Sequence, residues 1–355
     1  MIQPPPKVDQ QLVYLDLFLI DRLRLDAGLS RKVLGKKARV AYNTIREMDH
    51  GGGVQPATAH AIAKILEQKV VDLLAPWDRH YVAPKEPNGP CGGSSEWESK
   101  GYLDQGRLAP NGLYYIVCRM QHRHTAARPG RGKFYHLSWM PLAKLEGMRH
   151  QLTRHGDVCA RVRMCPHIVV NLTSTPVTND EGWWVIDDWV GEKTLADHLR
   201  AASWPRGALP RLLLEIARGL EALHKAGIMF RELAPSRVLM SDTDGRAVLA
   251  DFELAKLLDG SPSVSGDWPE DPFRAPEVDG GLTTVRADLY SLAQVAAAAV
   301  AGPDFDPGRT VELLGLAGMP KRLHRLMVGC SEPVPDRRPP DLSSLLKELA
   351  RWAEK

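Results

Sequence analysis

One stretch divides the chain before any other feature is read. Residues 76–96 run PWDRHYVAPKEPNGPCGGSSE, and a segment so rich in proline, glycine and serine breaks structure rather than forming it. Before it, residues 10–75 read as short helices, with Leu12, Leu15, Phe18 and Leu19 at helical spacing. After it come the strand-like runs YYIVCRM (114–120), FYHLSWM (134–140), Ile168–Leu172 and Trp183–Trp189, with QHRHTAARPGRGK (121–133) as a basic, flexible connection. Beyond Gly191 helical spacing takes over, at Leu195–Ala202, Leu209–Ala226, Ala287–Val300, Pro320–Val328 and Asp341–Trp352. Strands followed by helices predict an α+β unit of two lobes behind a small all-α domain. The expected division is 1–78, a linker at 79–98, and 99–355.

With 355 residues, 44% hydrophobic and 25% charged, the composition is that of a globular protein and excludes collagen-like, coiled-coil and disordered chains. No apolar run reaches the length of a membrane helix, and the start lacks the basic-then-apolar order of a secretory signal. Five scattered cysteines (Cys91, Cys118, Cys159, Cys165, Cys330) without a CxxC pair read as reduced thiols. The expectation is a cytoplasmic protein with no membrane partner.

Charge is uneven. Residues 1–80 hold 12 Lys/Arg against 9 Asp/Glu, whereas the remainder holds 34 of each. Ser30–Arg46 carries Arg31, Lys32, Lys36, Lys37, Arg39 and Arg46 and no acid. Such a run fits a phosphate backbone and also fits a solvated helix face. Ser30 suits a helix N-cap, with the helix running to about Lys37; a second helix follows from near Ala41 to His50. Val33, Leu34, Val40, Ile45 and Met48 would form their shared core.

The order Leu29–Ser30, Leu34–Gly35, then Val40–Ala41–Tyr42–Asn43–Thr44–Ile45–Arg46–Glu47–Met48–Asp49–His50–Gly51 resembles the Cro/repressor (XRE-like) type of helix-turn-helix. It departs at Arg39, where glycine usually makes the turn, and at Ala41, in place of a capping serine. The resemblance implies double-stranded DNA as a partner, with Tyr42, Asn43 and Arg46 at base edges, Arg31, Lys32 and Lys36 on phosphates, and a homodimer. The other reading of the module is protein contact or dimerisation only.

Further along, LEALHKAGIMFRELAPSRVL (220–239), VLADFELAK (248–256), FRAPEV (273–278) and ADLYSLAQV (287–295) stand in an order and spacing that resemble the eukaryotic-like Ser/Thr protein kinases. Val185–Gly191 looks like that family's hinge and Cys165–Val169 like its His-Pro-Asn-Ile-Val turn. Arg338 is expected to pair with Glu277. The resemblance implies a bilobal kinase-like fold over 99–355, with a β-rich first lobe and an α-helical second.

Several positions depart from the family's chemistry. Glu232 stands at the catalytic base, Ala234 at the phosphate lysine, Arg237 at the metal-binding asparagine and Glu253 at the glycine after Phe252; Asp251 keeps the magnesium aspartate. The longer Glu232 side chain would displace its carboxylate by about 1 Å, a misplacement that costs about a hundredfold. Gly106–Gly112 lacks the pattern of a phosphate-covering loop. Tyr135–Trp139 supplies no strand lysine, with Lys144 too far along, and counting back from Ile168 puts the partner position of the regulatory helix near Gly156 or Asp157.

These departures lead to the expectation of a pseudokinase. The chain would be a DNA-binding transcriptional regulator whose inactive kinase-like domain binds a protein partner, as in toxin–antitoxin or phage-defence systems. It would have no enzyme activity, no metal, and no cofactor, unless the retained Asp251 serves ATP/Mg. The alternatives are an atypical active Ser/Thr kinase or nucleotidyl transferase using Glu232 and Asp251, and an adaptor without a DNA role. His122, His124, His136, His150 and His155 read as surface or core histidines, Trp183, Trp184 and Trp189 as packing, and Ser261, Ser263 and Ser265 as loop residues.

Overall fold

The computed structural model describes residues 13–49, 53–73, 96–108, 114–125, 128–137, 142–176, 182–253, 255–257, 272–280 and 284–354. The expected domain boundary, most of the linker, Cys91, the second half of Gly106–Gly112, Trp139 and Ser261, Ser263 and Ser265 lie outside them.

The N-terminal module is built on capped helices. Asp16 caps α1 (Leu17–Asp26) by accepting the Leu19 N–H at 3.0 Å. Ser30 caps α2 (Arg31–Ala38) by accepting the Val33 N–H at 3.3 Å. Arg39 turns the chain in the left-handed conformation at φ 55°, and α3 (Tyr42–Asp49) follows. Proline opens α4 (Pro56–Ile65), where its missing N–H has no helical partner to lose. Ile20, Leu34, Ile45, Met48, Ile62 and Leu73 form the core. Val33, expected among them, is 41% exposed: α2 turns Leu34 and Ala38 inward, which leaves their neighbour on the outer face.

A five-stranded sheet follows, of β1 (Trp97–Leu108), β2 (Tyr114–His122), β3 (Pro129–His136), β4 (Asn171–Pro176) and β5 (Gly182–Asp188), in the order β1-β2-β3-β5-β4. Helix α5 (Leu142–Arg161) connects β3 to β4. The third strand starts at Pro129, five residues before the aromatic run that marks it in sequence. Gly130 and Gly132 are poor strand formers alone, but they pair with Met120 and Cys118. A Cβ at Gly132 would fall 2.6 Å from Met120 and 2.8 Å from the Trp184 ring, so only glycine lets Trp184 lie against this strand. The fourth strand is also displaced, to Asn171–Pro176 from the expected Ile168–Leu172.

The remaining chain is mainly helical. It comprises α6 (Leu195–Arg200), α7 (Leu209–Lys225), β6 (Ile228–Met229), β7 (Val238–Met240), β8 (Ala247–Leu249), β9 (Lys256–Leu257), α8 (Val285–Ala301), α9 (Thr310–Gly315), α10 (Lys321–Cys330) and α11 (Ser343–Ala353). Thr194 and Asp197 form a reciprocal capping box that starts α6. Leu213, Ile216, Leu220 and Leu223 of α7 share a core with Leu289, Leu292 and Val295 of α8. Two short antiparallel pairs, β6 with β9 and β7 with β8, complete this part. The chain divides into two compact units, one carrying α1–α4 and β1–β3, the other carrying most of α5 together with α6–α11. Among the described residues no helix is long and apolar enough to cross a membrane.

Candidate active site

Within the second unit, a carboxylate at the start of α8 fixes the segment after β6. Asp288 is fully buried and accepts the Phe230 N–H at 3.0 Å and the Arg231 N–H at 2.8 Å. His224 Nε2 lies 2.8 Å from the same carboxylate. Two backbone bonds drawn to one side chain hold Arg231 at φ 69°, a left-handed conformation that costs a non-glycine residue about 1–3 kcal/mol. The chain then passes Glu232 into a turn at Pro235–Arg237 and enters the β7–β8 hairpin. Beyond the hairpin the Ala250 N–H donates to the Arg237 carbonyl at 3.0 Å, and Asp251 takes φ 69°.

This path brings three charged side chains together. Arg237 Nη1 donates to Asp251 Oδ2 at 2.8 Å, and Nη2 lies 3.5 Å from Glu232 Oε2. The side chains are 11%, 14% and 8% exposed respectively, so little water screens the cluster.

A second polar set lies behind Phe252. His155 of α5 is completely buried. Its Nε2 donates to Asp187 Oδ1 at 2.8 Å, and its Nδ1 accepts the Phe252 N–H at 3.1 Å. Asn171 Nδ2 donates to the same Asp187 oxygen at 2.9 Å. The imidazole stacks on the Phe252 ring with centroids 5.7 Å apart, and the Phe230 ring lies 5.0 Å from the Phe252 ring. Burial is the largest single influence and pushes the His155 pKa down, but Asp187 and Cys159 together outweigh it and hold the ring well above its ordinary value. Burial pushes the nearby Cys159 thiol up. One residue earlier on α5, Arg154 Nη1 donates to the Ala255 carbonyl at 3.2 Å. Nothing in the sequence alone marked His155 and Asp187 as partners, because 32 residues separate them.

A model of the protein kinase domain matches residues 140–354. The chain belongs to the protein kinase family. Its relatives include a probable serine/threonine-protein kinase of Clostridium perfringens, 27% identical over 44% of this chain and 24% of the relative. Serine/threonine-protein kinase C of Synechocystis is 28% identical over 40% of this chain and 29% of its own. Serine/threonine-protein kinase PkaB of Streptomyces coelicolor is 32% identical over 39% and 38%. This kinase chain therefore spans a quarter to two-fifths of those relatives. Among solved structures, the PknI kinase domain of Mycobacterium tuberculosis, as a double mutant, superposes with a TM-score of 0.54 at 21% identity, covering 75% of this chain and 99% of that one; the fold is shared.

These findings overturn two expectations. The reading as a DNA-binding transcriptional regulator does not stand, because the family and its named relatives are Ser/Thr protein kinases. The pseudokinase reading falls with it. It leaned on the departures at Glu232, Ala234, Arg237 and Glu253 taken together, whereas the matched family and the named relatives are Ser/Thr protein kinases; Glu232 itself is buried, and its Oε2 meets the guanidinium that Asp251 also meets.

The remaining expected residues fall as follows. Ala234 and Glu253 are buried at 5% and 4%. Arg338 grips Glu277 through both nitrogens, at 2.6 and 2.9 Å, as the sequence predicts. The strand lysine sought at Tyr135–Trp139 is missing there, but β3 carries Lys133, buried with its Nζ 4.5 Å from the Tyr115 ring centroid. The α5 residue that reaches Phe252 is His155, one position before the expected Gly156. In the N-terminal module Lys32, Lys36 and Asn43 are exposed and Tyr42 is half-buried, while the Arg46 side chain lies outside the described residues. Arg31, expected on phosphates, is instead buried and ion-paired to Asp21 at 2.5 Å.

Kinases of this family use ATP with magnesium, so the fit of that ion can be tested on the side chains. Magnesium needs near-octahedral oxygen ligands. Arg237 offers none, since a guanidinium only donates, and it already engages both carboxylates that would face the ion. Two like unit charges 4 Å apart repel by about 4 kcal/mol at intermediate dielectric, and a divalent ion doubles that. Among the described residues no cluster of three or more His, Cys, Asp or Glu side chains could hold a metal. The residues present do not fit magnesium.

Proposed function

We propose that this chain is a Ser/Thr protein kinase that moves the γ-phosphoryl group of ATP to a hydroxyl oxygen. The observation that carries the reading is the meeting of Glu232 and Asp251 on the Arg237 guanidinium. A carboxylate to take the hydroxyl proton and a fixed cation to face the phosphoryl charge, both on rigid, partly strained backbone, are parts that a phosphoryl-transfer site uses. In the step, the bond from the γ-phosphorus to the bridging oxygen of ADP breaks. The hydroxyl oxygen forms the new bond to phosphorus, and its proton passes to the Glu232 carboxylate. Arg231 and Asp251 hold left-handed backbone on either side of this cluster, and strain kept at such positions favours a working site over a relic. Separate cores within the N-terminal helices and within α7–α8 are in keeping with a distinct N-terminal domain.

The test is transfer of γ-labelled phosphate to a Ser/Thr-rich basic protein, read by phosphoamino-acid analysis with magnesium and with EDTA. Glu232→Ala is expected to slow transfer by about 10²–10⁴-fold, the range for loss of a positioned base. Label that never exceeds the buffer control, or that is unchanged in Glu232→Ala and Asp251→Ala, refutes the proposal.

A further inference from the structure

We infer that this site takes its nucleoside triphosphate without a divalent cation, the Arg237 guanidinium standing where the ion would be. The inference rests on the kinase reading above and adds what neutralises the phosphates. Arg237 is anchored at both ends. Its N–H donates to the Ala234 carbonyl at 2.9 Å, and its own carbonyl accepts the Ala250 N–H at 3.0 Å, immediately before Asp251. The backbone therefore ties Arg237 to the very carboxylate its side chain meets at 2.8 Å. For an ion to reach Asp251, this buried pair must first separate, and the guanidinium has no deprotonated form that would let it yield.

The substitution also changes the charge at the site. Two carboxylates facing a triphosphate repel it, and in an ordinary kinase the metal ions cancel that repulsion. Here one permanent cation, held between Glu232 and Asp251, reduces their joint charge before any ligand arrives. A free triphosphate then meets a cation fixed in place, whereas a magnesium complex brings a second cation to the same point. The planar guanidinium also matches phosphate oxygens in geometry. Arginine thus supplies the charge and orientation of a metal with no exchangeable ion.

The experiment is a calorimetric titration of the full chain with a non-hydrolysable ATP analogue, in excess EDTA and in excess magnesium chloride. Wild type is expected to bind with affinities within about threefold of each other in the two buffers. Arg237→Asn, which restores the family's neutral oxygen donor, is expected to bind poorly in EDTA and to gain at least about tenfold on adding magnesium. Arg237→Lys keeps the charge and is expected to keep metal independence. Wild-type affinity that rises about tenfold or more with magnesium overturns this inference and leaves the kinase reading standing. An absence of nucleotide binding in both buffers overturns both. The wild-type comparison decides the matter even where a variant fails to fold.

Discussion

His155 Nε2 lies 2.8 Å from Asp187 Oδ1 in a site where the imidazole has no exposure at all. The pair ties α5 to the end of β5, and the other ring nitrogen ties both to the backbone of Phe252. A fully buried polar bridge at this point replaces what apolar packing alone would do, and it adds direction, because Nε2 meets Asp187 and Cys159 while Nδ1 meets the Phe252 backbone.

Removing either partner leaves the other without its charged contact, Asp187 with Asn171 and His155 Nε2 with Cys159. His155→Leu and Asp187→Leu are each expected to lower unfolding free energy by about 3–5 kcal/mol, the cost of leaving half of a buried pair. The double variant is expected to cost clearly less than the sum, since neither orphan remains. Urea unfolding of the four proteins measures this. Additive losses would mean that the two side chains stabilise the fold independently of one another.

Arg338 offers a sharper test of geometry than of charge. It holds both Glu277 oxygens, donates to the carbonyls of Glu332, Arg286 and Pro333, and lies 4.9 Å from the Tyr290 ring centroid. Lysine keeps the charge but has neither the planar fork nor the stacking face. Arg338→Lys is therefore expected to lose most of what Arg338→Ala loses, about 3–5 kcal/mol for breaking a buried pair. Thermal melts that place the lysine variant beside wild type would reduce the contact to simple charge pairing.

The N-terminal module separates a buried arginine from an exposed lysine next to it in sequence. Asp21 is met by Arg24 and by Arg31, each at 2.5 Å, with all three side chains at most 10% exposed. Arg31→Ala is expected to destabilise the module by about 1.5–3 kcal/mol, as loss of a charged hydrogen bond does. Lys32→Ala is expected to stay within about 0.5 kcal/mol of wild type. Hydrogen exchange of α1–α4 amides reads the difference locally, and equal protection in both variants would contradict the burial of Arg31.

What the sequence disclosed, and what it hid, follows from range. Capping and helical spacing are local, so α2, α3 and α7 were legible within a residue or two of their ends, as was the Arg338–Glu277 pair once the motifs were in order. Strand β3 was misplaced because Gly130 and Gly132 carry no strand signal; only Trp184, more than fifty residues away in the chain, makes glycine the residue that fits. Arg31 looked like a surface charge because Asp21 sits ten residues upstream on another helix. Glu232 was legible as a departure, but where its carboxylate goes depends on Arg237, and the sequence carries no measure of that distance. Lys133 was missed with the strand that bears it.

His167 supplies the pH dependence. The residue is 7% exposed, and Nδ1 lies 3.2 Å from the Ala247 carbonyl, which fixes Nδ1 as the donor. Burial pushes its pKa below the ordinary 6.5, and the Ala247 carbonyl recovers only part of that. The folded state thus takes up a proton later than the unfolded chain as pH falls. Above the unfolded value both states are neutral and the contribution is complete. As pH falls from there toward the lower folded value, the unfolded chain is protonated first and stability declines, by at most about 1.4 kcal/mol per pH unit. Below the folded value the loss levels off. Asparagine keeps a donor for the Ala247 carbonyl and does not titrate, so His167→Asn is expected to remove this component while other groups keep theirs. Urea unfolding of both proteins from about pH 7.5 to about pH 5, the span in which histidine changes charge, isolates it as the difference between two curves. A difference that is flat, or that grows in favour of wild type as the solution is acidified, would show that His167 is not held neutral by burial.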